Sequence, residues 1–286
     1  MTLTATAVVD RYPTRIDGDP DLIDRTDPSV WDFTGAGPID RATVAAHHAK
    51  GFSVHRDLFS PAEVAAYRDE LARLAADPAL AGDDRTELTD DGDVGVIYEV
   101  HAISELVAEL VVDPRVLDRA RQLLGSDVYI HQSRIEYLPA FRGKGAYWHS
   151  PFETWHAEDG MPCPRAVSVA IPLSGQQELT GELMAMPGSH RTFVPTPLGS
   201  GGVPGKEHLE SLGTAYGIER FTDTEGSVLV FDANLMQGSA DNITPFPRTN
   251  IHVVFSSVEN RLCAPFAGGE PRPAYLANRD AAALHR

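Results

Sequence analysis

Within eight residues, from His149 to His156, the chain carries three groups able to move a proton or hold a metal: His149, Glu153 and His156. Two imidazoles and a carboxylate at such spacing suit general acid/base work or divalent-metal binding. Glu136 and His252 add two more titratable groups, with Arg134 and Arg248 nearby in the sequence. A buried carboxylate must pair or shift its pKa, and for Glu136 either arginine is a candidate partner. His252, in a strand whose register turns it inward, faces the interior, where a neutral histidine is as ordinary a structural element as a chemical one.

Other chemistries find no support. The chain has no Gly-x-Ser-x-Gly elbow, phosphate-binding loop or dinucleotide fingerprint, and no His-x-x-x-His metalloprotease spacing. The acidic run from Asp83 to Asp93 lacks the spacing of a calcium loop and reads as solvated chain. With only Cys163 and Cys263, a disulfide framework is not expected and a cysteine-rich metal site is excluded by count. The 24 basic and 41 acidic residues give a formal charge of −17, which repels polyanions, so nucleic acid and anionic membrane are poor partners and a small molecule is the expected one. The first ten residues lack a basic stretch followed by a long apolar run, and no window resembles a membrane span, so a cytoplasmic protein is expected.

The elements that must position these groups change character along the chain. Residues 1–40, rich in Asp, Pro and Arg, read as an N-terminal arm, and 41–286 as one domain. Ile39 to Lys50 and Pro61 to Ala76 have helical spacing, the second with Ser60 as N-cap and Pro61 in the first turn. Gly82 to Asp93 reads as a loop. A further helix opens at Asp113-Pro114 and ends at Gly125. Val128 to Tyr137, Ala166 to Leu173, Leu183 to Met186, Ser227 to Phe231 and Asn250 to Ser257 are short runs of β-formers. Helices first and strands later predict a mainly β fold with flanking helices, an antiparallel barrel or sandwich. Leu198 to Gly205 reads as a mobile surface loop.

The stretch from Tyr129 to Gly160, YIHQSRIEYLPAFRGKGAYWHSPFETWHAEDG, resembles the signature region of the ectoine hydroxylase branch of the phytanoyl-CoA dioxygenase superfamily. PGSHRTF from Pro187, GSVLVFDAN from Gly226, GSADNITPFPRTN from Gly238 and NRLCAPF from Asn260 extend the resemblance from about Gly51 to the C-terminus. It implies a double-stranded β-helix, or jelly roll, holding ferrous iron through a His-x-Asp pair and a distal His, with 2-oxoglutarate chelating the metal. Two imidazoles and one carboxylate on a face leave positions open for cosubstrate and oxygen.

Against that pattern His149 matches the first ligand, but Pro151 stands at the Asp and Gln237 at the distal His. Glu136 replaces an Asn that helps hold 2-oxoglutarate, and His252 replaces an aromatic residue facing the substrate. Arg248 and Ser168 match the anchors of the cosubstrate's distal carboxylate, Gln132 and Trp155 match substrate contacts, and Tyr98 replaces a Phe near the cosubstrate. Trp148 and Trp155 also read as packing or cavity wall. A displaced site built from His149, Glu153 or Glu136, and His252 is conceivable, although the Glu-Thr-Trp-His stretch accompanies the ordinary triad in the resembled enzymes.

Three readings result. In the main one the degenerate triad makes the protein a metal- and 2-oxoglutarate-independent enzyme of cyclase, isomerase, lyase or hydrolase type, acting on a small carboxylate-bearing metabolite. Here Arg248 and Ser168 anchor the carboxylate, Glu136 and His252 exchange protons, His149 and Gln237 orient or polarise the substrate, and Gln132, Trp155 and Tyr98 contact it. No cofactor is expected, and His149 is the ligand if a metal binds. The second reading is an Fe(II)/2-oxoglutarate hydroxylase with atypical metal ligation, and the third a catalytically inactive binding protein. The resemblance allows a homodimer.

Overall fold

The computed structural model describes residues 9–285 except 19, 35, 175–178 and 223–224. Among the described residues, six α-helices are capped largely by the residues that flank them. In α1 (Arg41–Lys50) the Asp40 carboxylate accepts from the N–H groups of Ala42 and Thr43, so the helix opens two residues later than its apolar pattern does. In α2 (Pro61–Ala75) Ser60 and Glu63 form a reciprocal capping box, with Pro61 in the first turn. Ser104 caps α3 (Glu105–Val112), and Asp113 caps α4 (Pro114–Leu124), which ends at Gly125 in the left-handed region. The short α5 (Pro151–Thr154) continues into a π-helical turn over 155–159, and α6 (Lys206–Tyr216) starts at Gly205 without a side-chain cap.

The strands are β1 (Ile23–Asp24), β2 (Phe52–His55), β3 (Thr86–Leu88), β4 (Val94–Tyr98), β5 (Val128–Leu138), β6 (Ala166–Pro172), β7 (Leu183–Ala185), β8 (Thr192–Phe193), β9 (Glu219–Phe221), β10 (Val228–Asp232), β11 (Gln237–Ser239) and β12 (Arg248–Ser257). Seven form one antiparallel sheet in the order β2-β10-β6-β12-β5-β4-β3, and a second sheet runs β11-β7-β9. Part of the acidic segment read as a loop is therefore strand, because Thr86–Leu88 pairs with Val94–Tyr98 as an edge hairpin.

Register assigns the two faces of the large sheet. Ile251 lies opposite Ile135 and Ile171, and these join Val169, Val253 and Ile97 in a core shared with Leu71, Leu110, Leu117 and Leu123 of α2, α3 and α4. Their neighbours turn the other way. Ala170, Leu229 and Phe231 pack on Ala185 and Phe221 of the small sheet, closing a jelly roll around its own interior. On β5 and β12 that inward face carries Gln132, Arg134, Glu136, Arg248 and His252 rather than aliphatic groups. Val254 sits opposite Gln132 but Phe255 opposite Ile130, so His131 is the extra residue of a β-bulge.

Both ends of the chain brace this barrel. β1 pairs with β8, and Tyr12 is buried edge-on to Phe152 and Phe193. The C-terminal tail follows β5, with the Asn278 N–H donating to the His131 carbonyl at 2.9 Å and that of Leu284 to Val128 at 2.9 Å. The Leu198 to Gly205 stretch lies largely at the surface, with Leu198 and Val203 exposed, and is packed at Gly202, where an added Cβ would lie 2.8 Å from Oε2 of Glu153. No helix among the described residues is long and apolar enough to cross a membrane.

Candidate functional site

The polar inward face of β5 and β12 meets the β11 end of the small sheet at a cavity of about 40 Å³ lined by Glu136, His149, Ser168, Gln237 and His252. It adjoins an outer cleft of about 730 Å³, lined among others by Arg248, Arg142, Asp91 and Phe141, and the two share Glu136, Ala146 and Ser239. The cleft is in the size range of small-molecule sites, whereas the inner cavity holds little more than a few waters.

His149 and Gln237 are placed by an isolated antiparallel bridge. The His149 N–H donates to the Gln237 carbonyl at 2.9 Å, and the Gln237 N–H returns to the His149 carbonyl at 3.0 Å. The ring is oriented separately, with Nδ1 2.7 Å from the carbonyl of Tyr147. A carbonyl only accepts, so Nδ1 carries the proton and Nε2 keeps its lone pair. Burial pushes the ring's pKa below the usual imidazole range despite that hydrogen bond, which keeps the lone pair available.

Across the cavity, Arg134, Glu136 and His252 form one electrostatic unit. Arg134 Nε donates to Glu136 Oε1 at 2.8 Å, and its other arm donates to Gln132 Oε1 at 2.8 Å. Glu136 Oε2 lies 3.0 Å from His252 Nε2. This is ion-pair distance but off the line of a hydrogen bond, because His252 Nε2 is buried without a hydrogen-bond partner. Burial alone would raise the Glu136 pKa, yet His252 and Arg134 outweigh it and hold the carboxyl well below the ordinary range. Burial lowers His252, with Glu136 opposing it only in part. Arg134 and Glu136 are thus a guanidinium–carboxylate pair.

Arg248 is 1% exposed, and no carboxylate comes within ion-pair distance of it among the described residues. Its Nε is buried without a partner, and burial lowers its pKa while Glu136 and Glu182 act from farther off. A buried guanidinium lacking a counter-ion is costly unless an anion completes it. The Arg248 guanidinium faces the outer cleft and fits a ligand carboxylate, whereas Ser168, opposite Val254 and so six residues along β12 from Arg248, lines the inner cavity instead of standing beside it as the sequence suggests.

The metal is a different case. His149 offers one well-oriented imidazole, Gln237 a neutral amide, and Pro151, buried at the start of α5, no donor. Among the described residues no three His, Cys, Asp or Glu side chains gather to hold a metal ion. The residues fit the cosubstrate's carboxylate and do not fit a two-histidine, one-carboxylate iron site. A rebuilt site using Glu153 or His156 is also ruled out by their partners. Glu153 is 1% exposed and accepts from Thr14 at 2.8 Å, Thr196 at 2.8 Å and Arg15 at 3.2 Å. His156 stacks on Phe266 and is hydrogen-bonded to Met161 and Asp10.

Three other residues selected from the sequence do not line either cavity. Trp155 is buried in an apolar cluster with Tyr12, Phe152 and Phe193. Gln132 donates through Nε2 to the carbonyl of Leu276 at 2.8 Å, and the Tyr98 hydroxyl bonds Glu87 at 3.1 Å while its ring meets Tyr275. In each, the chain's own arm, tail or edge strand takes the contact. Sequence reasoning passed over Arg134 as a site residue, although the two-residue alternation Gln132, Arg134, Glu136 puts it on the same face. It also missed the buried cluster of His131, Asp159 and Arg272, where Asp159 accepts both Arg272 nitrogens at 2.7 Å.

Comparison with known proteins supplies what this geometry leaves open. The sequence pattern of the family described as "Phytanoyl-CoA dioxygenase (PhyH)" matches residues 47–250. An "Ectoine dioxygenase" of Nocardia farcinica is 50% identical over 287 residues, spanning 95% of this chain and 94% of its own. EctD from S. alaskensis, solved with 2-oxoglutarate and 5-hydroxyectoine, is similar at a TM-score of 0.91 with 44% identity over 96% of each chain. The same enzyme with bound Fe gives 0.91 and 44% over 96% of this chain and 97% of that one.

These relatives overturn the main expectation drawn from the sequence, that of an enzyme working without metal or 2-oxoglutarate, and with it the expectation of no cofactor. They are dioxygenases solved with Fe and with 2-oxoglutarate, not metal-independent enzymes. Two side-chain donors are missing, while the rest of the chain, Arg248 and His149 included, keeps the architecture of the oxygenases.

Proposed function

Because the chain belongs to the phytanoyl-CoA dioxygenase family, we propose that it is an iron- and 2-oxoglutarate-dependent hydroxylase of a small polar molecule of the ectoine kind, with altered metal ligation. The observation that carries this is the similarity to ectoine dioxygenases along nearly the whole chain, 50% identity over 95% of it. In this reading Arg248 binds the distal carboxylate of 2-oxoglutarate and thereby gains the anion it lacks, while Ser168 lines the inner cavity. His149 presents Nε2 as the one imidazole donor, held in its tautomer by Tyr147. Bound iron and 2-oxoglutarate would supply the electrons that activate dioxygen, the oxidant, which no side chain here can do. The remaining inward groups bind and orient the substrate and limit its contact with water.

The test is turnover. Purified protein supplied with dioxygen, ferrous iron, 2-oxoglutarate and ectoine should form succinate, carbon dioxide and a product heavier by one oxygen, each dependent on iron, cosubstrate and air. Succinate and hydroxylated product absent under all iron and cosubstrate concentrations would refute the proposal.

A further inference from the structure

One edge of β5 is covered by β4 only at Arg134, Ile135 and Glu136, and lower down the C-terminal tail takes its place. Four carbonyls accept along that edge. Val128 takes the Leu284 N–H at 2.9 Å and Ser133 the Glu99 N–H at 2.8 Å, and between them lie Ile130 and His131. A regular strand turns only every second carbonyl to one edge, so Ile130 and His131 break the alternation. The break is the main-chain side of the β-bulge, and it leaves two neighbouring acceptors to find partners in the same direction. One residue serves both. The main-chain N–H of Asn278 donates to His131 at 2.9 Å and its Nδ2 to Ile130 at 2.8 Å, while its Oδ1 accepts from the Asp280 N–H at 2.9 Å. An amide side chain offers the donor and the acceptor that this arrangement uses together.

We infer that Asn278 is a positioning residue for the site: by holding the Ile130 and His131 carbonyls together it fixes the bulge that turns Gln132, Arg134 and Glu136 inward. The same stretch of tail acts a second time two residues earlier. The Leu276 carbonyl, which only accepts, takes Gln132 Nε2 at 2.8 Å, so Gln132 presents Oε1 to Arg134 Nη1 at 2.8 Å. Arg134 Nε in turn holds Glu136 Oε1 at 2.8 Å. Contact thus passes from a half-buried tail residue to a guanidinium and a carboxylate that line the inner cavity. Ala277, between the two tail contacts, is fully buried, which seats the segment against the strand. Groups that orient a substrate must hold their geometry to a fraction of an ångström, so whatever pins their strand bears on the reaction without touching a reactant. This inference rests on the hydroxylase reading for its effect on turnover, but its effect on β5 can be measured without turnover.

The experiment compares the full-length protein with Asn278→Asp, which keeps the side chain's size and the acceptor for Asp280 but sets a carboxylate oxygen against the Ile130 carbonyl. Hydrogen–deuterium exchange read by mass spectrometry should quicken about tenfold or more in peptides spanning Val128 to Glu136, and by less than about twofold in β6. With dioxygen and ferrous iron, KM for ectoine should rise about fivefold or more. KM for 2-oxoglutarate should stay within about twofold, because Arg248, which binds it, pairs with Leu138 at the other end of β5. A smaller folded fraction lowers kcat and moves neither KM, which separates positioning from general stability. Asn278→Ala removes the donor without adding charge and serves if the first variant melts early, and Asp280→Ala, exposed in the same tail, should behave as wild type. Unchanged β5 exchange in both Asn278 variants, exchange quickened equally through the sheet, an unchanged KM for ectoine, or the same changes in Asp280→Ala would overturn the inference. A wild type that forms no succinate sinks the hydroxylase reading, and β5 exchange then decides on Asn278 alone.

Discussion

His149 and Gln237 face each other as a hydrogen-bonded pair across an antiparallel bridge, their main chains exchanging both N–H···O contacts at 2.9 and 3.0 Å. In such a pair both side chains project to one side, and here both line the same cavity. The position of Gln237 is thus suited to a second metal ligand, and only its amide chemistry is weak.

From this, Gln237→His should raise affinity for ferrous iron by about tenfold or more, and adding Pro151→Asp should raise it again, each step about 1.4 kcal/mol. Asp is compatible with the first turn of α5, where a negative charge faces the helix N-terminus. Competition with a chelator, or cobalt absorption as a stand-in, measures the change. Equal affinity across wild type and both variants would show that the wild-type donors already suffice.

Arg248→Met should leave the protein without ligand at least as stable as wild type, since it removes a buried cation with no counter-ion among the described residues. The same variant should lose about 2 kcal/mol or more of 2-oxoglutarate binding, roughly thirtyfold. Thermal melts with and without 2-oxoglutarate test both halves. A large fall in the melting temperature of the ligand-free variant would mean that Arg248 is structural.

Acid should destabilise the fold through its buried histidines. Burial pushes His47 down to about 3, the neighbouring Asp232 opposing it and His190 reinforcing it. A folded pKa below the unfolded one means that the unfolded chain binds the proton first. Stability is therefore intact above the unfolded value of about 6.5 and is lost as pH falls from there toward the folded value. His47→Gln, which keeps a polar partner for Ser53, should reduce the loss between pH 7 and pH 5 by about 1 to 2 kcal/mol. Urea unfolding at the two pH values reads it, and an unchanged difference would count against the assignment.

Arg15→Ala should cost about 3 kcal/mol, because it leaves the Glu153 carboxylate buried with only neutral hydroxyl donors, those of Thr14, Thr196 and Thr154. Chemical denaturation measures the loss. Limited proteolysis should show the arm cut earlier than in wild type, since Arg15 also ties it to Glu158 at 2.6 Å.

Two helices were readable from their caps and proline, whereas α3, although capped by Ser104, was not read. Ser60 with Pro61, and Asp113-Pro114 with Gly125, mark α2 and α4 to within a residue or two. α6 escaped notice because it starts at Gly205 with no side-chain cap, and β3 because a three-residue edge strand in an acidic segment has little periodicity. The inward set of Glu136, Ser168 and His252 was legible through strand alternation and family resemblance together. Gln132, Trp155 and Tyr98 were not, since their partners come from Leu276, Tyr12 and Tyr275, distant stretches that no local pattern brings near. The cofactor expectation failed for another reason. Side-chain donors at two positions say less about chemistry than similarity spread through the chain.

The bulge at His131 lets one strand obey two opposite instructions. Below it, even-numbered residues of β5 join the greasy layer under the helices, as Ile130 and Val128 do, and above it the odd-numbered Ile135 does. Losing a single amino acid there, or gaining one, would rotate Gln132, Arg134 and Glu136 into hydrocarbon and swing isoleucine into the cavity. Insertions and deletions of one residue should therefore be far less tolerated at this point than almost any substitution.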